Sequence, residues 1–519
     1  MSLLAEIQAL IRPEAAQQAF LQRTQAAVVP EDFGRIAALE QLLVRAHEAL
    51  LQNQQSSAKL RRVLFGPKTE KTRQLFPPAE PPPAEPKPKR RGHGRRRAKE
   101  YTGARRVPVC HPNLQAGQKC PDCERGKLCQ LPPAVTPLLE GSSPVTATLF
   151  EKERLRCASC GKVFTAPLPP EAGTEKYDVS VGPTVALLRY GCGLPHYRLA
   201  RLQESLGVPL PESTQWEVML PNAEAAGPAL QELIRQGAQG SLLYVDDTKM
   251  QVRELRSKGG GGIDPKRTGT FTTAVVAEMG AHTAVLFFTG WKHAGENLSD
   301  VLRQRASGLE PPIQMCDALS RNFKGEFKTL LANCLSHGRR EFVDVREAFP
   351  EECRQVLKCL GEVYGFDAEA KERGLSAAER LVYHQTHSGP VMDRLHRWLD
   401  DTLKQKRTEP NSGLGQAIRY MQNHWEALTL FLRVPGAPLD NNLAERTLKM
   451  AILHRKNSLG YKTVKGAQVG DLFMSLIQTC RSNGINPFEY LKALARNPAA
   501  VAAHPADWLP WNYPQAKAA

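Results

Sequence analysis

Four short apolar runs between residues 241 and 317 constrain this chain more than any other feature, because two of them end in aspartate. SLLYVDD (241–247) and PPIQMCD (311–317) each close on an acid. TGTFTTAVVAEM (268–279) and HTAVLFFTG (282–290) are rich in Thr, Val and Phe. Runs of this length and composition read as buried strands. Helices are expected in AGENLSDVLRQRA (294–306) and FKGEFKTLLA (323–332), and a last strand in NCLSH (333–337).

Three meander strands, a helix, a strand, a helix and a strand is the order of a ribonuclease-H-like α/β fold. In that fold the first and fourth strands are neighbours, which would bring Asp246 and Asp317 together. Residues 338–435 are poor in strand signals and read as a helical insertion. The chain returns in PLDNNLAERTLKMAILHRKNSLG (438–460), a helix that Asp440 can cap and from whose second turn Glu445 projects.

Three carboxylates from separate elements suit a particular chemistry. Mg²⁺ prefers oxygen ligands, and two such ions on a phosphodiester can activate the attacking oxygen and stabilise the leaving one. On this reading Asp246 bridges both metals, Asp317 completes one site and Glu445 the other. The competing reading for Glu445 is an ordinary i,i+4 pair with Lys449. Asp247 competes with Asp246, but side chains alternate along a strand, so only one of the two can face the metals.

Upstream, Cys120-Pro-Asp-Cys123 and Cys157-Ala-Ser-Cys160 form two C-x-x-C knuckles, the spacing with which four thiolates close on one structural zinc. Cys110, His111 and Cys129 lie nearby and read as bystanders. With no export signal, the twelve cysteines point to a reducing compartment, the cytoplasm, where paired cysteines more often hold metal than form disulfides.

The net charge of +16 favours polyanionic partners. Part of it is concentrated between Lys87 and Arg106, where ten basic residues accompany one acid, Glu100. Arg90, Arg91, Arg95, Arg96 and Arg97 there are candidate phosphate contacts, set in a proline-dense segment (76–100) that favours an extended tether. No amphipathic or lipidated anchor accompanies the run, so nucleic acid is preferred to a membrane.

Ile36, Leu43 and Leu50, interleaved with Leu39, Ala46, Asn53 and Leu60, give an a/d pattern suited to self-association through a coiled coil. In 178–235, HYRLARLQESLG (196–207), the turn VPLPEST and a resumed helix at TQWEVML suit a helix-turn-helix or a generic helical hairpin. Arg446, Lys449, Arg455 and Lys456, on or after the Glu445 turn, could clamp DNA phosphates. His337, with Arg339 and Arg340, could approach the site but reads rather as a satisfied structural histidine, and Gly259–Gly262 as a hairpin tip without the residues of a nucleotide loop.

The expected organisation is a multidomain α+β chain. It comprises a helical, coiled-coil region (1–75), a Pro-rich basic linker (76–106) and a zinc-binding domain (107–168). A helix-turn-helix-like domain (169–236), a ribonuclease-H-like core (237–460, with 338–435 inserted) and a C-terminal helical segment (461–519) follow.

From about residue 60 to 490 the chain resembles transposases of the insertion-sequence 66 family, bacterial enzymes with a DDE triad. The resemblance is carried by LRRVLFGPKTEK (60–71), GHGRR (92–96), both knuckles and YVDDT (244–248). GWKHAGENL (290–298), IQMCDALSRN (313–322), CLSHGRREF (334–342), LDNNLAERTLKMAILHRKNSLG (439–460) and NGINPFEYL (483–491) complete it. It implies a triad at Asp246, Asp317 and Glu445, catalytic Mg²⁺ or Mn²⁺, and structural Zn²⁺. It also implies DNA as partner, a homo-oligomer on DNA, and helper proteins encoded by the same element. One departure is Asp247, where the family usually has Glu followed by Thr-Pro; here Thr248-Lys249 follow. Two other functions fit the same residues: a DNA-binding regulator with a spent core, and a structure-specific nuclease that cuts without joining.

Overall fold

The computed structural model describes residues 14–30, 32–39, 108, 113–123, 125, 127–132, 143–156, 163–170, 175–257, 269–322 and 326–514. The chain divides into two compact units, residues 77–146 and a larger unit of 1–76 with 147–519. The fold is mixed α+β, with helices around one mixed sheet.

In the smaller unit, Lys119 and Lys127 form an antiparallel bridge, and Leu128 N donates to Gln118 O at 2.8 Å. Cys120 and Cys123 sit in the turn this bridge closes.

In the larger unit the first described element is helix α1 (Glu14–Ala27), and residues 32–39 are also helical. Most of the heptad segment, from residue 40 on, lies outside the described residues. Strands β1 (Arg154–Arg156) and β2 (Val163–Thr165) pair antiparallel and flank residues 157–162. Cys157 and Cys160 themselves, Cys110, His111, Gly259–Gly262 and the whole arginine run 90–97 lie outside the described residues.

Helices α2 (His196–Ser205) and α3 (Glu212–Gly237) follow, joined by a short turn after Gly207, whose φ of +73° suits a residue without a Cβ. The sheet comes next: β3 (Leu242–Lys249), β4 (Phe271–Met279), β5 (His282–Gly290), helix α4 (Ala294–Leu302), β6 (Ile313–Cys316) and β7 (Leu330–Asn333). Its order is β5-β4-β3-β6-β7, with β3–β4–β5 antiparallel and β3–β6–β7 parallel. The first and fourth strands of the run are therefore neighbours.

One local expectation fails. Leu330–Asn333, taken in the sequence as the end of a helix (323–332), is strand β7, and 335–337, taken as strand, opens helix α5 (Leu335–Val345). A four-residue apolar run carries too little periodicity to separate strand from buried helix. The parallel pairing of LLAN with β6 decides it.

Helices α6 (Pro350–Glu372), α7 (Ala377–Lys404) and α8 (Gly413–Asn423) make the inserted region helical. The chain then enters α9 (Asn442–Ser458) and α10 (Val464–Ser482). Among the described residues no helix is long and apolar enough to cross a membrane.

The two faces of the sheet receive different helices because β3 alternates. Asn297 of α4 donates to Thr273, the register partner of Asp247, and Gly237 of α3 lies against Ala277, Ala284 and Leu286. Arg455 of α9 reaches Thr248 on the opposite face.

The exposed edge, β5, is closed by α10. Asp471, Ser475, Thr479 and Asn483, four residues apart, accept from the backbone N–H of Thr289, Phe287, Val285 and Thr283 at 2.6, 2.9, 2.9 and 3.1 Å. Four helical residues advance about 6.0 Å and two strand residues about 6.8 Å, so one polar stripe stays in step with one edge. A strand that could template aggregation is thereby satisfied internally.

Candidate active site

The register of β3 and β6 builds the centre of the site. Leu242, Leu243 and Tyr244 pair with Ile313, Gln314 and Met315, and continuing that register puts Asp317 across from Asp246. Adjacent strands run roughly 4.8 Å apart, so two carboxylates meet at the end of the ladder.

Asp246 is half-buried and accepts from Asp247 N at 2.8 Å. Burial first, then the charge of Asp317, with Asp247 and Glu445 adding, pushes its carboxyl up to about 7. Asp317 is also raised, by burial above all; His337 and Arg321 pull in the opposite direction. Asn322 Nδ2 donates to Asp317 Oδ1, and Leu319 N donates to the same oxygen at 3.4 Å.

Glu445 comes to the same place because residues 439–441 are stitched into the sheet. Leu335 N donates to Leu439 O at 2.9 Å, and Asn441 Nδ2 donates to Val245 O at 2.9 Å, just past the last β3–β6 pair. Asn441, buried completely, is also the N-cap residue of α9, and its backbone N–H points to Cys334 Sγ at 3.3 Å. The capping residue is thus Asn441, while Asp440 accepts from Asn442 N at 3.1 Å. Glu445 accordingly lies in the first helical turn, one turn earlier than expected.

Asp247 faces the other way. Its carboxylate, 2% exposed, accepts from His293 Nδ1 at 3.0 Å and Ala294 N at 3.2 Å, and pairs with Arg321 at 3.3 Å. Those donors fix the start of α4 and the turn after Asp317, so Asp247 braces the site from behind.

His337 is not the satisfied histidine expected. Its Nδ1 is shielded from solvent, has no hydrogen-bond partner, and lies 3.9 Å from Glu445 Oε1, an atom in the same condition. Cys334, N-cap residue of α5, is fully buried beside them, and burial pushes its thiol up to about 11. The sequence signal for both was CLSH, a Cys and a His three residues apart at a helix start.

The basic candidates divide. Arg446, Lys449 and Lys456 are exposed on α9. Arg455 is half-buried and donates to Thr248 Oγ1 at 3.1 Å and to Lys249 O, tying α9 to the end of β3. Cys120 is half-buried and Cys123 exposed, while Cys129, also exposed, contacts Lys127 O at 3.8 Å.

Comparison with known proteins bears on all of this. The model of a family described as "Transposase IS66 family" matches residues 177–469. An uncharacterized protein of Sinorhizobium fredii, y4hP, is 26% identical over 436 residues, 77% of this chain and 74% of its own length. Two others from that bacterium, y4jD and y4qI, are 34% and 29% identical over 187 and 200 residues. Those stretches cover 35% and 38% of this chain and 36% of each relative, so the similarity spans about a third of those two proteins. No solved structure matches the chain.

Proposed function

This chain belongs to the IS66 transposase family, and from that premise we propose that it binds the ends of an insertion sequence, cuts the DNA there and joins it to a target. The observation that carries the proposal is the register of β3 on β6, which sets Asp317 across from Asp246 beside the tethered Glu445 helix. We read the sheet and its helices as a ribonuclease-H-like core with α6–α8 inserted.

The donor set fits divalent magnesium. Burial raises both Asp246 and Asp317, the charge of Asp317 adds to the effect at Asp246, and Glu445 Oε1 is shielded without a hydrogen-bond partner, the conditions a hard cation relieves. Asp246, Asp317 and Glu445 would hold the ions. When bound, two such ions would activate the attacking oxygen and neutralise charge on the leaving one.

The chain's own residues supply the geometry. Asn322 orients Asp317, Asn441 fixes the start of the Glu445 helix, and Asp247 anchors α4 and the turn behind Asp317. Arg446, Lys449 and Lys456 offer exposed cations to DNA phosphates. In the reaction, water attacks the phosphorus at the element end and the bond to the 3′-oxygen breaks. The freed 3′-hydroxyl then attacks a target phosphodiester and displaces its 3′-oxygen.

In the same proposal Cys120, Cys123, Cys157 and Cys160 hold one structural zinc. The bridge between Lys119 and Lys127 closes the turn that holds the first pair. The helix pair α2–α3 and the basic run 90–97 would grip the element ends. The heptad segment would bring two chains together, with helper proteins of the same element assisting.

The test is incubation of purified protein with labelled element-end DNA, target plasmid and Mg²⁺, beside Asp317→Ala, repeated in cells carrying the whole element. Joined products that vanish in the variant are expected. Cutting without joining would make the chain a nuclease, and tight binding with neither would make it a regulator.

A further inference from the structure

We propose that Cys334, His337 and Glu445 form a second metal site, which takes a thiophilic divalent cation, Zn²⁺, and by doing so withdraws Glu445 from Asp246 and Asp317. One ligand atom from each residue lies within 4.8 Å of the other two.

The donors converge because two helix starts meet. Cys334 is the N-cap residue of α5 and His337 lies within its first turn, so both side chains leave the same end of the helix. Glu445 leaves the first turn of α9, and the Asn441 N–H bonded to Cys334 Sγ at 3.3 Å joins the two starts. A backbone N–H aimed at sulfur is the support a metal-bound thiolate takes from its surroundings.

Two of the three donors have no hydrogen-bond outlet. His337 Nδ1 and Glu445 Oε1 are both shut off from water, and neither has a hydrogen-bond partner. An imidazole nitrogen and a carboxylate oxygen 3.9 Å apart leave a gap that a cation between them would fill. Their side chains remain 29% and 32% exposed, which leaves torsional freedom and a path for an ion.

The donor chemistry selects the ion. One sulfur, one nitrogen and one oxygen suit Zn²⁺ and are a poor set for Mg²⁺, which demands oxygens. Zinc bond lengths place tetrahedral donors roughly 3.3–3.7 Å apart, so the cluster need close by only about 1 Å from its widest. Binding releases the Cys334 thiol proton to solvent, and water takes the fourth position.

The regulatory consequence rests on the transposase reading of Glu445. A carboxylate drawn to Cys334 and His337 cannot also complete an oxygen-donor set with Asp246 and Asp317. Zn²⁺ is then an inhibitor whose site shares one residue with the catalytic centre.

Titration of the full chain with Co²⁺ tests the site, read by metal stoichiometry and by the thiolate-to-cobalt charge-transfer absorption. The unmodified chain is expected to bind one more ion than Cys334→Ser or His337→Gln, whatever the knuckle cysteines bind in all three. Cys334→Ser should also lose the corresponding share of the charge-transfer band. His337→Gln, at a partly exposed position, keeps the test decisive where Cys334→Ser fails to fold. Equal uptake by the unmodified chain and His337→Gln overturns the site.

Strand cleavage in fixed Mg²⁺ with rising Zn²⁺ tests the consequence. Inhibition that needs at least tenfold more Zn²⁺ in His337→Gln, relative to its own zinc-free rate, supports the shared glutamate. Unchanged inhibition overturns it. Absence of cleavage in every form, with the extra Co²⁺ ion still bound, would remove the transposase reading, and the shared-glutamate consequence with it, while the metal site stands.

Discussion

Asn441 donates its side-chain amide to the backbone carbonyl of Val245 at 2.9 Å, fastening the start of the Glu445 helix to the strand that carries Asp246. The two residues are 196 positions apart, with the whole helical insertion between them. Asn441→Ala leaves a buried carbonyl unsatisfied and should cost about 1–3 kcal/mol. It should also reduce cleavage by more than its stability loss accounts for, because Glu445 loses its tether. Urea unfolding beside single-turnover cleavage checks this; a variant destabilised but fully active would make the tether purely structural.

Neutralising the carboxylates separates those proposed to hold metal from the one that braces them. Asp246→Asn, Asp317→Asn and Glu445→Gln should each abolish cleavage and joining while the protein still binds element-end DNA. Asp247→Asn should instead lower stability by roughly 1.5–3 kcal/mol, since it weakens charge-assisted bonds to His293, Ala294 and Arg321. Thermal melts and gel-shift assays of the four variants decide it. Full cleavage by Asp246→Asn would remove that residue from the site.

The contribution of Asp246 to the stability of the metal-free protein should fall as pH rises from about 4 to 7. Asp246 and Asp471 both have carboxyls raised to about 7 in the folded state, so between those limits the folded chain holds protons that the unfolded chain has released. Asp246→Asn should therefore raise the Tm in chelator at pH 8 and change it little at pH 4. Asp471 contributes a slope of the same sign, while His196 and His454, whose imidazoles burial lowers to about 4 and about 3, contribute slopes of the opposite sign, so the readout is the difference between the unmodified chain and Asp246→Asn. Mg²⁺ should raise the Tm of the unmodified chain at pH 8 and do so much less for Asp246→Asn; an equal Mg²⁺ effect on both would count against Asp246 as a ligand.

The α10 strap along β5 predicts a cost without a functional residue being touched. Ser475→Ala and Thr479→Val each strand a buried backbone N–H, of Phe287 and Val285 respectively, and should destabilise by about 1–3 kcal/mol. The double variant should aggregate on mild heating, because the strand edge is then open to another chain. Light scattering during a thermal ramp measures this.

Lys449 and Arg455 should behave oppositely on DNA. Lys449→Ala, on the exposed face, should weaken binding across sequences and lower the salt slope by about 1. Arg455→Ala should lower the Tm and leave the salt slope unchanged, because its guanidinium serves Thr248 and Lys249 O. Fluorescence anisotropy at several salt concentrations distinguishes them.

The sequence by itself determined the first four strands of the sheet and their order. Nine-residue runs such as FTTAVVAEM and HTAVLFFTG carry enough β-branched and aromatic residues to leave one reading. Helices with strong end signals were equally legible, as at Gly207 after α2. The four-residue strand Leu330–Asn333 was misread, because at that length only its pairing with β6 separates it from a helix. What the tertiary structure alone decided is which of two adjacent acids turns toward Asp317. The parallel register aligns Asp246 with it, and the alternation of β3 sends Asp247 to His293 and Arg321. The tertiary structure also decided that Cys334 and His337 lie beside Glu445, more than a hundred residues on in the chain. Contacts of that kind are set by packing across the sheet end, and no local pattern encodes them.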